Sequence, residues 1–551
     1  MASEHSALLE GSGGNSTPKY GTNDRPPSIS NGSSEAGGSN DIEQQKEESS
    51  RSYWAVVAPM AVGIFLSAMD GTIIVSSYAS IGSELNELNN TSWIATSYLL
   101  TITSVQPLFG KLSDIFGRKS CLLFSYAVFA LGCLFCGLSR NLTELIASRA
   151  LAGVGGGGMT TIVSIVVSDV VPLRYRGTWQ GVLNMVFAVG NATGASLGGF
   201  FSDTIGWRWS FLLQVPVAIF AIISVSLSLH LPKIDSGDLV AKFKRIDFIG
   251  AVTLIITVFL LLVGLDRGGN IGWSDPYTRY ALTGFVFFAS FLVFIEFEWA
   301  REPFAPKRII INRSLIASYL VNFFGIASAF TVLFHVPLYL QAVQSKTASQ
   351  ASLSLIYSVV AAMAGSLGGG LIMQSTGKYY WLTFWSNVLL VVGIGALTLS
   401  SGIIVSSALS ITLGLMICSL GNGTSITTSL ISLIANAGQE DQAIATAVSY
   451  LFRSLGSVVG LSLGSTIVQI TLRSTLRARL SGDSDSDIEE IVRRVRESLT
   501  YLDELDEATR AIVRGSYEVA IQATFVFATI VAALALVSSM YIKEKPLPSR
   551  K

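Results

Sequence analysis

The sequence predicts an all-α polytopic membrane protein with fourteen transmembrane helices, and three observations carry that prediction. Half of the 551 residues are hydrophobic and only 13% are charged, which leaves too little polar surface to enclose a soluble core of this size. The mean hydropathy is +0.54. From Trp54 onward, apolar runs of about 20 residues, the length that spans a bilayer core of about 30 Å, alternate with short polar connections. The formal net charge is zero, so composition makes no case for a nucleic-acid partner.

Residues 1–52 are rich in Ser, Gly, Asn, Glu and Lys with almost no aromatics, and read as a disordered cytosolic tail. No apolar h-region with a small-residue cleavage site marks this tail as a signal peptide. Within it, EHSALL sets Glu4 four residues ahead of the pair Leu8 and Leu9. That pattern resembles the acidic dileucine signal read by vesicle-sorting adaptors; the alternative is an idle tail.

Candidate spans start near residues 54, 92, 120, 144, 178, 209, 247, 279, 314, 351, 381, 403, 443 and 518. With the amino terminus cytosolic, the cytosolic loops hold Lys111, Arg118, Lys119, Arg174, Arg176, Lys233, Lys242, Lys244, Arg245, Lys307, Arg308, Arg313 and Lys378. The opposite short loops hold Arg140, Arg208, Arg267, Arg279 and Lys346. The positive-inside rule therefore sets both termini in the cytosol. Residues 471–516 form one long non-cytosolic loop whose apolar residues recur at helical spacing, which predicts amphipathic helices on the lumenal face. Glycosylation sequons at Asn89, Asn90 and Asn141 fall on that same face.

The four cysteines, Cys121, Cys133, Cys136 and Cys418, lie in apolar runs with no His or Cys cluster beside them. They read as reduced packing residues, and no metal site is expected. No GxxxxGK[ST] loop occurs, so neither ATP hydrolysis nor a cofactor is expected, and no nucleophile and base at usable spacing suggests an enzyme.

The stretch SAMDGTIIV, residues 67–75, places Asp70 inside the first apolar run. An unpaired charge there is costly and is by default functional. Between the second and third spans stands GKLSDIFGRK, residues 110–119. Gly110 and Gly117 permit a tight turn between closely packed helices, while Asp114, Arg118 and Lys119 supply charges that pair with neighbouring helix ends. Arg149 opens RALAGVGGGG in the fourth span, where it either faces a cavity or snorkels from the helix end.

At these residues the chain resembles the major facilitator superfamily, whose signature G-x-L-x-D-x-x-G-R-K it matches at every defining position. The resemblance implies that this loop is a gate latch and that Arg149 faces the transport cavity. GNATGASLGG, residues 190–199, is similar to the antiporter motif of the fifth span, with small residues Gly190, Gly194, Gly198 and Gly199 but Ala195 in place of the proline. WRWSFLLQVP, residues 207–216, the Asp247/Gly250 pair and FRSLGSVVG, residues 452–460, resemble the fourteen-span drug/proton antiporter branch. Gln214 stands where that branch has asparagine, and Arg453 is either structural or functional. The first-span motif of the branch matches at Asp70 and Thr72, which the resemblance makes the proton-coupling and substrate residues together with Arg149. The competing reading is that Asp70 only hydrogen-bonds a neighbouring helix. Tyr98, Gln106, Asn184, Asn322 and Tyr339 are candidates to line the cavity; His335 either joins them or is packed.

The resemblance implies a six-helix bundle over 53–230, a central two-helix insertion over 231–300, a second six-helix bundle over 301–543 and a short cytosolic tail over 544–551. SAMDGTIIV, WIATSYLLT and RGTWQG are similar to segments of fungal vacuolar basic amino acid transporters. That similarity implies proton-coupled uptake of lysine, histidine or arginine across the vacuolar membrane. The alternatives are a plasma-membrane multidrug/proton antiporter and a non-transporting amino acid receptor.

Overall fold

The computed structural model describes residues 38–547 except 75–76, 78–80, 83, 86–91, 230–246, 271, 300–306, 347, 405–406, 481–493 and 495–504. Glu4, Leu8, Leu9, Asn89 and Asn90 lie outside the described residues. The chain is helical throughout: α1 Gly38–Ile73, α2 Ser92–Phe116, α3 Arg118–Leu138, α4 Leu142–Val170 and α5 Leu173–Asp203. Next come α6 Arg208–Ser228, α7 Phe248–Asn270 and α8 Pro276–Phe294. The last six are α9 Arg313–Ala342, α10 Ala348–Thr376, α11 Tyr380–Leu399, α12 Ala408–Ala437, α13 Gln442–Arg479 and α14 Glu507–Ser539.

Twelve of the described helices are long and apolar enough to cross a membrane. The two that fall short are α2 and α5, with 25 and 31 residues. They are long enough but carry Gln106, Lys111 and Asp114, or Arg174, Arg176, Gln180, Asn184 and Asn191. Two expectations differ from the structure. The helix that contains the first span starts at Gly38, inside the segment expected to be a disordered tail; its DIEQQKEE run is made of good helix formers. The expected lumenal loop 471–516 is shorter, because α13 continues to Arg479 and α14 starts at Glu507. Leu472 and Leu476 on one side and Val513 and Tyr517 on the other bury in one apolar cluster, which extends both helices.

Local signals set the helix ends. Asn141 caps α4 by accepting from the Glu144 amide at 2.8 Å, and Glu144 accepts in return from the Arg140 amide, a reciprocal cap. Asp275 caps α8 ahead of Pro276, and Asp506 caps α14. Gly117 alone separates α2 from α3, at φ 93°, a conformation that favours glycine.

One large apolar cluster draws on residues from Val57 to Leu229 and another on residues from Val332 to Ala532. Close helix packing in the first rests on glycine. A Cβ on Gly155 would meet the Phe129 amide and Ser125 carbonyl of α3, and one on Gly157 would meet Ile102 of α2. The α5 stripe packs on α1: Gly190 lies against Phe65, Gly194 against Met69 and Thr72, and the Gly198 carbonyl accepts from Ser77 at 3.1 Å. Gly199 is half-buried beside them.

Residues 543–547 are tied to the helices beside them. Glu544 accepts from the amides of Tyr379 and Tyr380 at 3.0 and 2.7 Å, at the start of α11. Lys543 donates its amide to Ser314 of α9, and its carbonyl accepts from Asn436 of α12. Leu547 donates to the Gly377 carbonyl. The resulting strap crosses three helices, drawn in by the unsatisfied amides at a helix start.

Two predictions follow from this packing. Gly194→Val places methyls on the α1 backbone and is expected to cost about 1–3 kcal/mol, read as a lowered Tm in detergent. Glu84, between α1 and α2, accepts from Arg208 and Trp207, and the Arg208 bond holds its carboxyl below the usual 4.5. A lowered carboxyl contributes stability that is present above its ordinary value and lost as pH falls through the lowered one. The Tm gap between wild type and Glu84→Gln is therefore expected to persist from neutral into mildly acidic buffer and to close only below the ordinary carboxylate range.

Candidate functional site

Asp70 of α1 and Arg149 of α4 are both wholly inaccessible to solvent, and Nη1 of Arg149 lies 2.5 Å from Oδ2 of Asp70. Gln214 of α6 donates through Nε2 to the other carboxylate oxygen at 3.1 Å. Arg149 also donates from Nε to the Ile94 carbonyl at 3.3 Å and from Nη2 to the Asp70 carbonyl at 3.4 Å. The Tyr98 ring of α2 covers the guanidinium at 4.2 Å, and Phe211 lies at 5.5 Å. Tyr98 in turn donates its hydroxyl to the Ser67 carbonyl at 2.8 Å. Four helices thus converge on one ion pair.

This arrangement differs from the expectation that Arg149 faces the transport cavity, since neither it nor Asp70 is reached by solvent. The carboxylate is enclosed within the amino-terminal cluster, with its oxygens engaged by Arg149 and Gln214. Arg149 does not snorkel. Thr72 does not join the pair either, since residues two apart on a helix point to different faces. Its hydroxyl donates to the Asn191 carbonyl of α5 at 2.8 Å and serves helix packing. Gln214 is the residue the sequence reading did not place in the site, although a polar residue in the apolar run of WRWSFLLQVP is itself a signal. Its Oε1 and the Ser210 hydroxyl have no hydrogen-bond partner among the described residues. Both border an apolar groove of about 210 Å³ between α1, α5 and α6, whose edge residues Leu213 and Val217 are exposed on the bundle exterior.

A second set of polar residues joins the two apolar clusters. Arg174 donates to the Gln374 and Ser375 carbonyls of α10 at 2.7 and 3.0 Å, and Thr178 donates to the Gln374 side chain. Arg176 donates to Gln442, Asn184 to Ser366 at 2.8 Å, and Ser454 to Gln106 at 3.1 Å. Among the described residues these cross-links fall in the half of the helices that ends in the Lys- and Arg-rich loops. Gly110 contributes directly, because a Cβ there would lie 2.6 Å from the Ala447 methyl of α13. The structure is therefore sealed at the basic face.

The GKLSDIFGRK loop sits beside that seal. Arg118 pairs with Asp114 at 2.5 Å and with Asp169 at the end of α4 at 2.9 Å, while Lys119 donates to the Ser226 carbonyl near the end of α6. The loop thus fastens α2, α3, α4 and α6 at one face. Of the other candidates, Tyr98 belongs to the ion-pair site, and Gln106 and Asn184 belong to the seal. Asn322, His335 and Tyr339 are buried within the carboxyl-terminal helices. Asn322 bonds Ser318 and Ser429, His335 contacts the Thr331 carbonyl through Nδ1 at 2.7 Å, and Tyr339 packs near Phe525. None of these three lines an open cavity. Asn141 serves as a helix cap. All four cysteines are buried and unpaired.

A helical membrane protein with a buried ion pair in one cluster and a polar seal between clusters at one face has the build of a transporter. The chain belongs to the major facilitator superfamily, whose profile matches residues 60–461. It is 37% identical over 502 residues to the vacuolar membrane amino acid uptake transporter fnx2 of Schizosaccharomyces pombe, covering 89% of this chain and 84% of the relative. It is 36% identical to the multidrug resistance protein fnx1 of the same yeast, covering 92% and 95%. It is 31% identical to the vacuolar basic amino acid transporter 2 of Saccharomyces cerevisiae, covering 81% and 96%. The human organic anion transporter MFSD10 shares the fold, with a TM-score of 0.58 at 14% identity over 88% of this chain and 99% of that one. The protein is a transporter of this superfamily and not an enzyme.

The ion pair makes a stability prediction. Removing one partner strands a buried charge and costs about 3–5 kcal/mol, whereas replacing both with apolar residues is close to neutral. Arg149→Met is accordingly expected to lower the Tm sharply, and Asp70→Leu combined with Arg149→Met to recover most of the loss. Additive losses in the double variant would mean the two charges act independently.

Proposed function

We propose that the protein is a proton-coupled carrier that moves basic amino acids into the vacuole by alternating access. The observation that carries this reading is the solvent-free Asp70–Arg149 pair, set in a transporter whose helix clusters are cross-linked, among the described residues, at the basic face. The printed functions of the vacuolar relatives support the substrate class and the membrane.

In this reading α2 and α5 also cross the bilayer, which gives fourteen spans. Their low apolarity reflects the polar residues they place between the clusters. Two six-helix bundles flank the central α7–α8 insertion, both termini are cytosolic, and the basic face is the cytosolic face. The Glu4, Leu8 and Leu9 segment, recognised by a vesicle-sorting adaptor, directs the chain to the vacuole. Asp70 is the proton acceptor. A proton arriving from the acidic lumen neutralises the carboxylate and dissolves the attraction that holds α1 to α4. Gln214 remains as a hydrogen-bond partner for either protonation state, because its amide both donates and accepts. Loss of the pair then biases the helices toward the arrangement open to the cytosol. Since coupling free energies are reciprocal, cargo that favours one arrangement changes proton affinity in the other. The latch at Asp114, Arg118 and Lys119 sets how readily the cytosolic face opens.

The second reading, a drug/proton antiporter, is favoured by the likeness to fnx1 and by the apolar groove beside Gln214. ATP-driven uptake of labelled lysine, histidine and arginine into isolated vacuolar vesicles separates the readings. Wild type is expected to accumulate these amino acids. Asp70→Asn is expected to slow uptake at least about tenfold, a barrier change of about 1.4 kcal/mol or more. Equal rates in the two proteins would remove Asp70 from coupling. Drug export without amino acid uptake would establish the antiporter instead, and amino acid binding without flux would establish a receptor.

A further inference from the structure

Asp70 and Arg149 neutralise each other, but another cation in the transporter core has no such partner. Arg453 of α13 makes no ion pair with a described residue, and its Nη1 is buried without a hydrogen bond. Its one described contact is the Tyr450 ring, 4.9 Å from the guanidinium carbon. The neighbours of Arg453 along the helix show where it points. Tyr450 accepts from Gln180 of α5 at 3.4 Å, Ser454 bonds Gln106 of α2, and Gly456 lies against Phe323 of α9. Leu451, Leu455 and Val458 take the remaining face and pack toward α7. On the helical wheel Arg453 falls between the Tyr450 and Gly456 directions, so it projects toward the space between the clusters, level with the Ser454–Gln106 bond of the seal. Gln180, Asn184, Ser366 and Thr427 supply neutral polar groups to that same region, linked through the Asn184 bonds to Ser366 and Thr427.

Arg453 is half-buried, and a guanidinium partly withdrawn from water with one nitrogen unsatisfied is disfavoured without a counter-charge, an aromatic face offsetting only part of that. Its planar fork matches a carboxylate in two parallel hydrogen bonds. We propose that Arg453 is the subsite that receives the α-carboxylate of the transported amino acid. This deepens the amino acid reading above and rests on it. The carboxylate is common to every amino acid, so Arg453 sets selection of amino acids over amines. Choice among side chains belongs to other residues. The carboxylate also supplies the counter-charge that no described residue gives Arg453.

The test compares lysine with cadaverine, the same molecule without its carboxylate, in vacuolar vesicles carrying wild type, Arg453→Gln or Arg453→Lys. Wild type is expected to take up lysine with cadaverine competing poorly. In Arg453→Gln the KM for lysine, histidine and arginine is expected to rise by about tenfold or more, the scale of a charge-assisted hydrogen bond, with the maximal rate changed less. Cadaverine is expected to compete equally well before and after the substitution. Arg453→Lys, which keeps the charge but not the fork, is expected to lie between the two. Should Arg453→Gln fail to fold, judged by its elution profile and Tm, Arg453→Lys carries the comparison alone. A lysine KM unchanged in the folded variants overturns this assignment while leaving the amino acid reading intact. Wild type that neither binds nor takes up any amino acid overturns both.

Discussion

The amino-terminal half of this transporter is organised around one ion pair that water does not reach. Asp70 and Arg149 come from helices far apart in sequence, and each is tolerable in an apolar interior only because the other is there. Everything around them serves that condition. Glycines in α4 let α2 and α3 close in, Tyr98 and Phe211 cover the guanidinium with aromatic faces, and Gln214 engages the second carboxylate oxygen. A group held this tightly is stable in one charge state and unstable in the other. That makes it suited to a two-state device, in which a small chemical change at one point must be felt across several helices.

The polar seal obeys a different logic. Its bonds run between the clusters, join Arg174 and Arg176 or neutral side chains to neutral acceptors, and lie in the half of the helices nearest the basic loops. Such bonds are modest in net strength, about 1 kcal/mol when neutral and about 1.5–3 kcal/mol with a charged donor, so a set of them holds a closed face without making it permanent. Strong interactions sit inside a cluster and weaker ones sit between clusters. Such a division lets the clusters move as bodies while their interiors stay packed.

The fold class was readable because membrane helices obey a simple length and composition rule, and the GKLSDIFGRK turn was readable because its glycines and charges are all local. Asp70 and Arg149 stood out as charges in apolar runs. Their pairing did not, since nothing in a sequence states that residues 79 apart share a face. Helical phase argued against Thr72 as a companion to Asp70, yet the motif drew the two together. Tyr339, Asn322 and His335 looked like cavity residues because they are polar or amphipathic, but local bonds to Ser318 and Thr331 and packing beside Phe525 satisfy them inside one cluster. Gln214 was visible only as a departure from a pattern, and its contact with the carboxylate needed three dimensions. The ends of α13 and α14 ran longer than hydropathy suggested, because buried Leu472, Leu476 and Val513 extend the helices past their apolar cores.

The strap from Lys543 to Leu547 bears on how force travels through the molecule. By tying the feet of α9, α11 and α12 to one another, it turns the underside of that half into a stiff plate. Helices joined this way cannot slide individually, so strain generated at α9 is delivered to α11 and α12 with little slack. Residues 543–547 thus work as a keystone, and this short stretch becomes part of the lever.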